Sequence, residues 1–123
     1  MYRFYNNNKL GLYEDDCTVR AISLAENNTW DNTYDKLSDL AQEKGTMMDK
    51  REFIIDYLDE RYPRLLFDPK TVGEVSGENP DKTLLITMPG HITCSLCGIV
   101  LDSYDCRDRQ AEYAWVIPGR RKK

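Results

Sequence analysis

The stretch Glu14-Asp15-Asp16-Cys17-Thr18-Val19-Arg20-Ala21-Ile22-Ser23-Leu24-Ala25 decides how the chain folds. Asp16 is a favoured helix N-cap residue, because its side chain can accept from a backbone N–H that the helix leaves unpaired. Apolar residues at 19, 21, 22, 24 and 25 cover most of a helix circumference, which marks a buried central helix. Cys17 then falls in the first turn, where unpaired amides and the positive end of the helix dipole favour a thiolate. A nucleophile there needs a base. The chain holds one histidine, His91, directly after Pro89-Gly90 at the start of a strand-like run.

Upstream, residues 1–13 read as an extended segment with Tyr2, Phe4, Tyr5, Leu10 and Tyr13 around Asn6-Asn7-Asn8. Downstream, Asn27-Asn28 end the first helix and Thr29 caps a second. Its apolar stripe is Trp30, Tyr34, Leu37 and Ala41, and Gly45 is the natural residue after its C-cap. A third helix starts near Asp49, turns Phe53, Ile54, Tyr57 and Leu58 inward, and stops before Pro63. The second half changes character. Arg64-Leu65-Leu66-Phe67 reads as a short strand, and 68–81 as a loop with at most one helical turn at 71–75. Leu84 to Met88 is a continuous apolar run of strand length, suited to the middle of a sheet. His91–Leu96 and Ile99–Tyr104 flank Cys97-Gly98 as a hairpin, and Tyr113–Ile117 supplies a last strand. Helices followed by an antiparallel sheet predict an α+β domain over residues 1–123, its helical half about 14–62, its sheet half about 64–117 and a basic tail at 118–123.

Pairing register decides which residues share a sheet face. A two-residue turn at Cys97-Gly98 sets Leu96 opposite Ile99. Ile92, Cys94, Leu96, Ile99, Leu101 and Ser103 then share one face, expected to be core. His91, Thr93, Ser95, Val100, Asp102 and Tyr104 share the other. This register puts Asp102 diagonally across from His91 as the carboxylate that orients the imidazole, with Asp105 in reserve if a bulge intervenes. A thiolate attacks a carbonyl best when an imidazole handles the proton and a third group holds the imidazole. Cys17, His91 and Asp102 supply those residue types. Tyr104 shares the His91 face and is a candidate for the substrate cleft.

The 123 residues carry a net charge of −4 with acidic groups spread along the chain, which argues against a nucleic-acid partner. No apolar run reaches membrane-spanning length, and the N-terminus has no apolar signal-peptide core, so a reducing cytoplasm is the expected compartment and no membrane partner is expected. Four cysteines there are thiols or metal ligands before they are disulfides.

The run Asp-Asp-Cys-Thr-Val-Arg-Ala-Ile at 15–22, with Trp30, Tyr34, Leu37 and Gly45, resembles a group of small phage and bacterial proteins. So does Gly90-His91-Ile92 followed by Gly98-Ile99-Val100-Leu101-Asp102. These proteins look like minimal papain-fold, C39-like cysteine peptidases. The resemblance implies a papain-like fold, a Cys17–His91–Asp102 triad, no cofactor, and a peptide or protein substrate, in a host cytoplasm if the protein is phage-encoded. Two features depart from papain-like enzymes. No glutamine precedes Cys17 to complete an oxyanion hole, leaving an amide of Asn6, Asn7 or Asn8 beside the Cys17 N–H as the candidates. The charges of Asp15 and Asp16 also oppose a thiolate unless other contacts outweigh them. Arg20, one turn on, is placed to neutralise them or to meet a carboxylate on the sheet.

Two other readings use the same residues. A catalytically weak or inactive scaffold that binds a host protein keeps the fold and loses turnover. A structural zinc would use Cys94 and Cys97, spaced as Cys-x-x-Cys, with Cys106 and either His91 or Cys17. A second close ligand pair is lacking for zinc, so none is expected.

Overall fold

The computed structural model describes residues 1–8 and 16–118. Leu10, Tyr13, Asp15 and the basic tail from 119 onward lie outside the described residues. The elements in chain order are β1 (Tyr2–Phe4), α1 (Cys17–Ala25), α2 (Trp30–Glu43), α3 (Arg51–Arg61) and β2 (Arg64–Leu65). They continue with α4 (Val72–Gly77), β3 (Thr83–Met88), β4 (His91–Leu96), β5 (Ile99–Asp102) and β6 (Tyr113–Val116). The strands form one sheet in the order β1-β5-β4-β3-β6-β2, and the domain is α+β.

The unbroken apolar run explains why β3 lies inside the sheet. All six of its residues are buried, because it is paired on both edges and covered on both faces. Two tight turns then place the β4–β5 pair. Pro89-Gly90 joins Met88 to His91, and Gly90 adopts φ +74. Cys97 and Gly98 have φ +52 and +83, the left-handed pair that matches strand twist in a two-residue hairpin. Leu96 therefore pairs with Ile99, Ser95 with Val100 and Cys94 with Leu101, the register expected from the sequence.

The helices α1, α2 and α3 cover one sheet face. Ile22, Leu37, Leu58 and Trp115 are fully buried there with Leu85, Ile92 and Cys94. Thr29 caps α2 by accepting from the Asn32 N–H, and Gly45 follows its C-cap at φ +67. Along α2, Thr33, Leu37 and Ala41 face inward while Tyr34 is 42% exposed, so the buried stripe is rotated from the one the aromatic spacing suggested. Phe53, Ile54, Tyr57 and Leu58 of α3 are all buried.

Two expectations about the sheet need correction. Residues 2–4 are not merely an extended segment laid on the domain: β1 joins the sheet as an edge strand, parallel to β5, with Phe4 beside Asp102. The face holding Thr93, Ser95, Val100 and Asp102 is also buried, because α4 covers it with Val72 and Val75. A full capping box between Thr71 and Glu74 fixes the start of α4, and Ser76 and Ser95 share a buried 2.7 Å hydrogen bond. What alternation marked as the polar side of the hairpin is a second core.

Candidate active site

Cys17 is the first residue of α1, half-buried, with the helix running from it into the core. Asp16 occupies the N-cap position, but its side chain does not cap, in contrast to the expectation from sequence. Its carboxylate instead accepts from Arg20 Nε at 2.7 Å, Trp30 Nε1 at 2.9 Å and Asn8 Nδ2 at 3.3 Å. Three donors thus hold the negative charge expected to oppose a Cys17 thiolate. The amides of the first helical turn are not claimed by the Asp16 carboxylate.

The turn at Pro89-Gly90 ends with His91, whose ring faces two partners. Nε2 lies 2.7 Å from Asp102 Oδ2, and the ring is hydrogen-bonded to Cys17 as well. With Nε2 on the carboxylate, Nδ1 is the nitrogen left for the sulfur. Asp102 ends β5 nearly fully buried. Its Oδ1 accepts from the Ser103 backbone N–H at 2.7 Å and from Arg20 Nη1 at 3.3 Å. Arg20 therefore bridges both expected partners, the acid at the helix start and the acid on the sheet, and its Nη1 also donates to Ser103 Oγ at 3.1 Å.

These contacts set the charges. Burial alone raises the Cys17 thiol, but the hydrogen bond and charge of His91, the Ile92 backbone N–H and the charge of Arg20 bring it below its ordinary value. Burial disfavours an imidazolium at His91, yet the hydrogen bonds to Asp102 and Cys17 push it up to about 9. For Asp102, burial favours the neutral acid. The His91 hydrogen bond and charge and the Ser103 N–H outweigh it and keep the carboxyl below the usual range. All three shifts favour a thiolate–imidazolium pair with an ionised Asp102 behind it.

The sulfur and imidazole open on a cavity of about 310 Å³. Its walls come from the start of α1, from Tyr34 of α2, from Met47 and Met48 of the α2–α3 connection, from Ile54 and Ile55 of α3, and from Met88, Gly90 and Ile92 around the β3–β4 turn. That lining is mainly apolar, with Arg51 at the rim paired to Glu112.

The remaining candidates fall in different places. Tyr104 is 42% exposed, its ring 4.9 Å from that of His91, and its hydroxyl accepts from Arg109 Nη1 at 2.9 Å. Arg109 also donates to the Pro89 carbonyl, so one side chain ties the cover of His91 to the turn that positions it. Asp105 turns outward into an exposed pair with Arg107 at 2.8 Å, away from the imidazole. Asn7 Nδ2 donates to Ser23 Oγ at 2.7 Å, one and a half turns along α1 from Cys17, and Asn8 Nδ2 goes to Asp16. The Asn6 side-chain oxygen accepts from the Asn8 N–H at 3.0 Å. These bonds brace the chain ahead of α1. Cys94 is buried in the core under α1, while Cys97 is exposed in the hairpin turn. Among the described residues no disulfide forms, and the one grouping of metal-binding atoms is His91, Asp102 and Cys106 rather than a Cys94–Cys97 pair. Nothing local in the sequence marks Met47 and Met48 as cavity-lining, because no short-range pattern says that a connecting loop will fold over the start of α1.

No helix among the described residues is long and apolar enough to cross a membrane. Comparison with protein-family models, with curated proteins and with solved structures finds no match to this chain.

Proposed function

We propose that this protein is a papain-like cysteine hydrolase that cleaves an amide bond, of the peptidase, amidase or isopeptidase type. The observation that carries the reading is the continuous hydrogen-bonded path Cys17–His91–Asp102 at the mouth of an apolar cavity. In this reading the Cys17 thiolate attacks the substrate carbonyl and His91 gives its Nδ1 proton to the departing amine, leaving a thioester. His91 then takes a proton from water, which attacks the thioester and frees the acid. Asp102 holds the ring and balances the imidazolium charge. The Cys17 backbone N–H, at the positive end of α1, is the first donor for the oxyanion.

The cavity supports a substrate that presents a large apolar side chain beside the scissile bond. Its volume lies at the small end of ligand cavities, about 300–1,000 Å³, which suits one side chain better than an extended ligand. The phage and bacterial resemblance supports action in the cytoplasm, where cysteines are kept as free thiols.

Turnover of a fluorogenic peptide library tests the reading, with Cys17→Ala and His91→Ala as controls. Cleavage after or before apolar residues, absent in both variants, is expected. Retained cleavage in either variant would refute the mechanism. No cleavage together with a stably bound protein partner would favour a binding protein on the same scaffold.

A further inference from the structure

Cys106 has no part in that chemistry, yet it is fully buried against the carboxylate that orients His91. Its Sγ lies 3.6 Å from Asp102 Oδ2, the same oxygen that lies 2.7 Å from His91 Nε2. The other oxygen, Oδ1, is occupied by the Ser103 N–H and Arg20. Asp102 is thus divided: one oxygen is fixed by the protein, and the other receives two replaceable protons, one from nitrogen and one from sulfur. Cys106 is held by its surroundings, since the loop after it is bonded to the start of α4. The Val72 N–H donates to the Arg109 carbonyl at 2.8 Å and the Gly73 N–H to the Arg107 carbonyl at 2.9 Å.

We infer that His91 Nε2, Asp102 Oδ2 and Cys106 Sγ form an inhibitory site for zinc. The three ligand atoms lie within 4.8 Å of one another. Zinc bonds of about 2.0–2.3 Å in a tetrahedron set ligand atoms about 3.3–3.7 Å apart. The sulfur–carboxylate edge already has that length, and the imidazole–carboxylate edge must widen by under about 1 Å. A nitrogen, a carboxylate oxygen and a thiolate make a donor set that zinc prefers to magnesium or calcium. Binding releases two protons to solvent, from Nε2 and from sulfur, so the divalent ion enters with no change in local net charge. A water that arrives with the ion would supply the fourth ligand.

The metal site stands on geometry alone, whereas its inhibitory effect rests on the hydrolase reading. A metal-bound imidazole keeps its Nδ1 proton as a neutral ring and releases it far less readily than an imidazolium does. The departing amine then stays unprotonated and the cycle stops.

Cobalt(II) absorption tests the site without turnover, in a Cys97→Ser background that removes the exposed thiol. Tetrahedral d–d bands and a thiolate-to-cobalt charge-transfer band are expected, displaced by one equivalent of zinc. The charge-transfer band is lost in Cys106→Ser and kept in Cys17→Ala, with unchanged circular dichroism in both. Absence of the band in the unmodified site, or its persistence in Cys106→Ser, overturns the inference. Loss in Cys17→Ala does so too, because the metal then sits on the catalytic pair itself. If the band behaves as expected while no hydrolysis is found, the metal site survives and the hydrolase reading does not.

Discussion

Replacing Arg20 by methionine removes the cation that sits between Asp16 and Asp102 and keeps the volume of its stem. Arg20 is 9% exposed and donates to Asp16, Asp102 and Ser103 Oγ at 2.7, 3.3 and 3.1 Å. Removing one member of a buried ion pair costs about 3–5 kcal/mol, mostly because the partner's charge is left behind. Here both carboxylates keep other donors: Asp16 has Trp30 and Asn8, and Asp102 has His91 and the Ser103 N–H. The loss should therefore fall near the lower end, about 3 kcal/mol. At about 4 °C per kcal/mol for a domain of this size, the thermal midpoint drops by about 12 °C. Urea unfolding measures the free energy, and the midpoint shift at constant slope identifies it as a stability change. Alkylation of Cys17 should also slow, since the guanidinium charge helps to lower that thiol. Arg20→Lys should restore part of the alkylation rate but less of the stability, because one ammonium cannot span both acids as a planar fork does. A loss below about 1 kcal/mol in Arg20→Met would refute the view that this cation locks the helix start to the sheet.

Asp102→Asn should fold and lose roughly 10²-fold or more in kcat/KM on any substrate that the library identifies, a smaller loss than in serine triads because a thiol ionises more easily than a hydroxyl. Asp105→Asn, which touches only an exposed pair, should leave kcat/KM unchanged within twofold, about 0.4 kcal/mol. The His91 imidazolium is favoured on folding, raised from 6.5 to about 9, so between those values the imidazole itself holds more proton in the folded chain than in the unfolded one. Its stabilisation is complete below pH 6.5 and disappears as pH rises through about 9; the difference between urea midpoints of the wild type and His91→Gln should shrink over that window. Gly98→Ala forces a side chain into φ +83 and brings its Cβ to 3.3 Å from the Pro80 Cα, so it should cost about 1–2 kcal/mol in urea unfolding.

The parts of the fold that sequence made legible are those fixed by local chemistry. Thr29 and Gly45 bound α2 because capping depends on a few neighbouring atoms. Cys97-Gly98 set the hairpin register because a two-residue turn leaves the strands no other alignment. From that register came the diagonal placement of Asp102 and His91. What stayed hidden depends on distant chain segments. The capping box at Thr71 and Glu74 extends α4 to six residues, and only its arrival over Val100 and Ser95 converts a polar strand face into core. Residue type alone makes Asp16 a cap. Arg20, Trp30 and Asn8 compete for the same carboxylate and win, which no single-helix pattern encodes. Tyr34 follows the helical spacing of a core residue yet stacks on Trp30 at 5.3 Å and lines the cavity.

The pH dependence of Cys17 alkylation by iodoacetamide, followed by mass spectrometry of the labelled peptide, tests the central claim most directly. Cys17 should react with an inflection below that of an ordinary thiol near 8.5, and the inflection should move up to at least that value in His91→Ala. A Cys17 that titrates as an ordinary thiol in the wild type, or whose curve is unmoved by loss of His91, would contradict a thiolate–imidazolium pair.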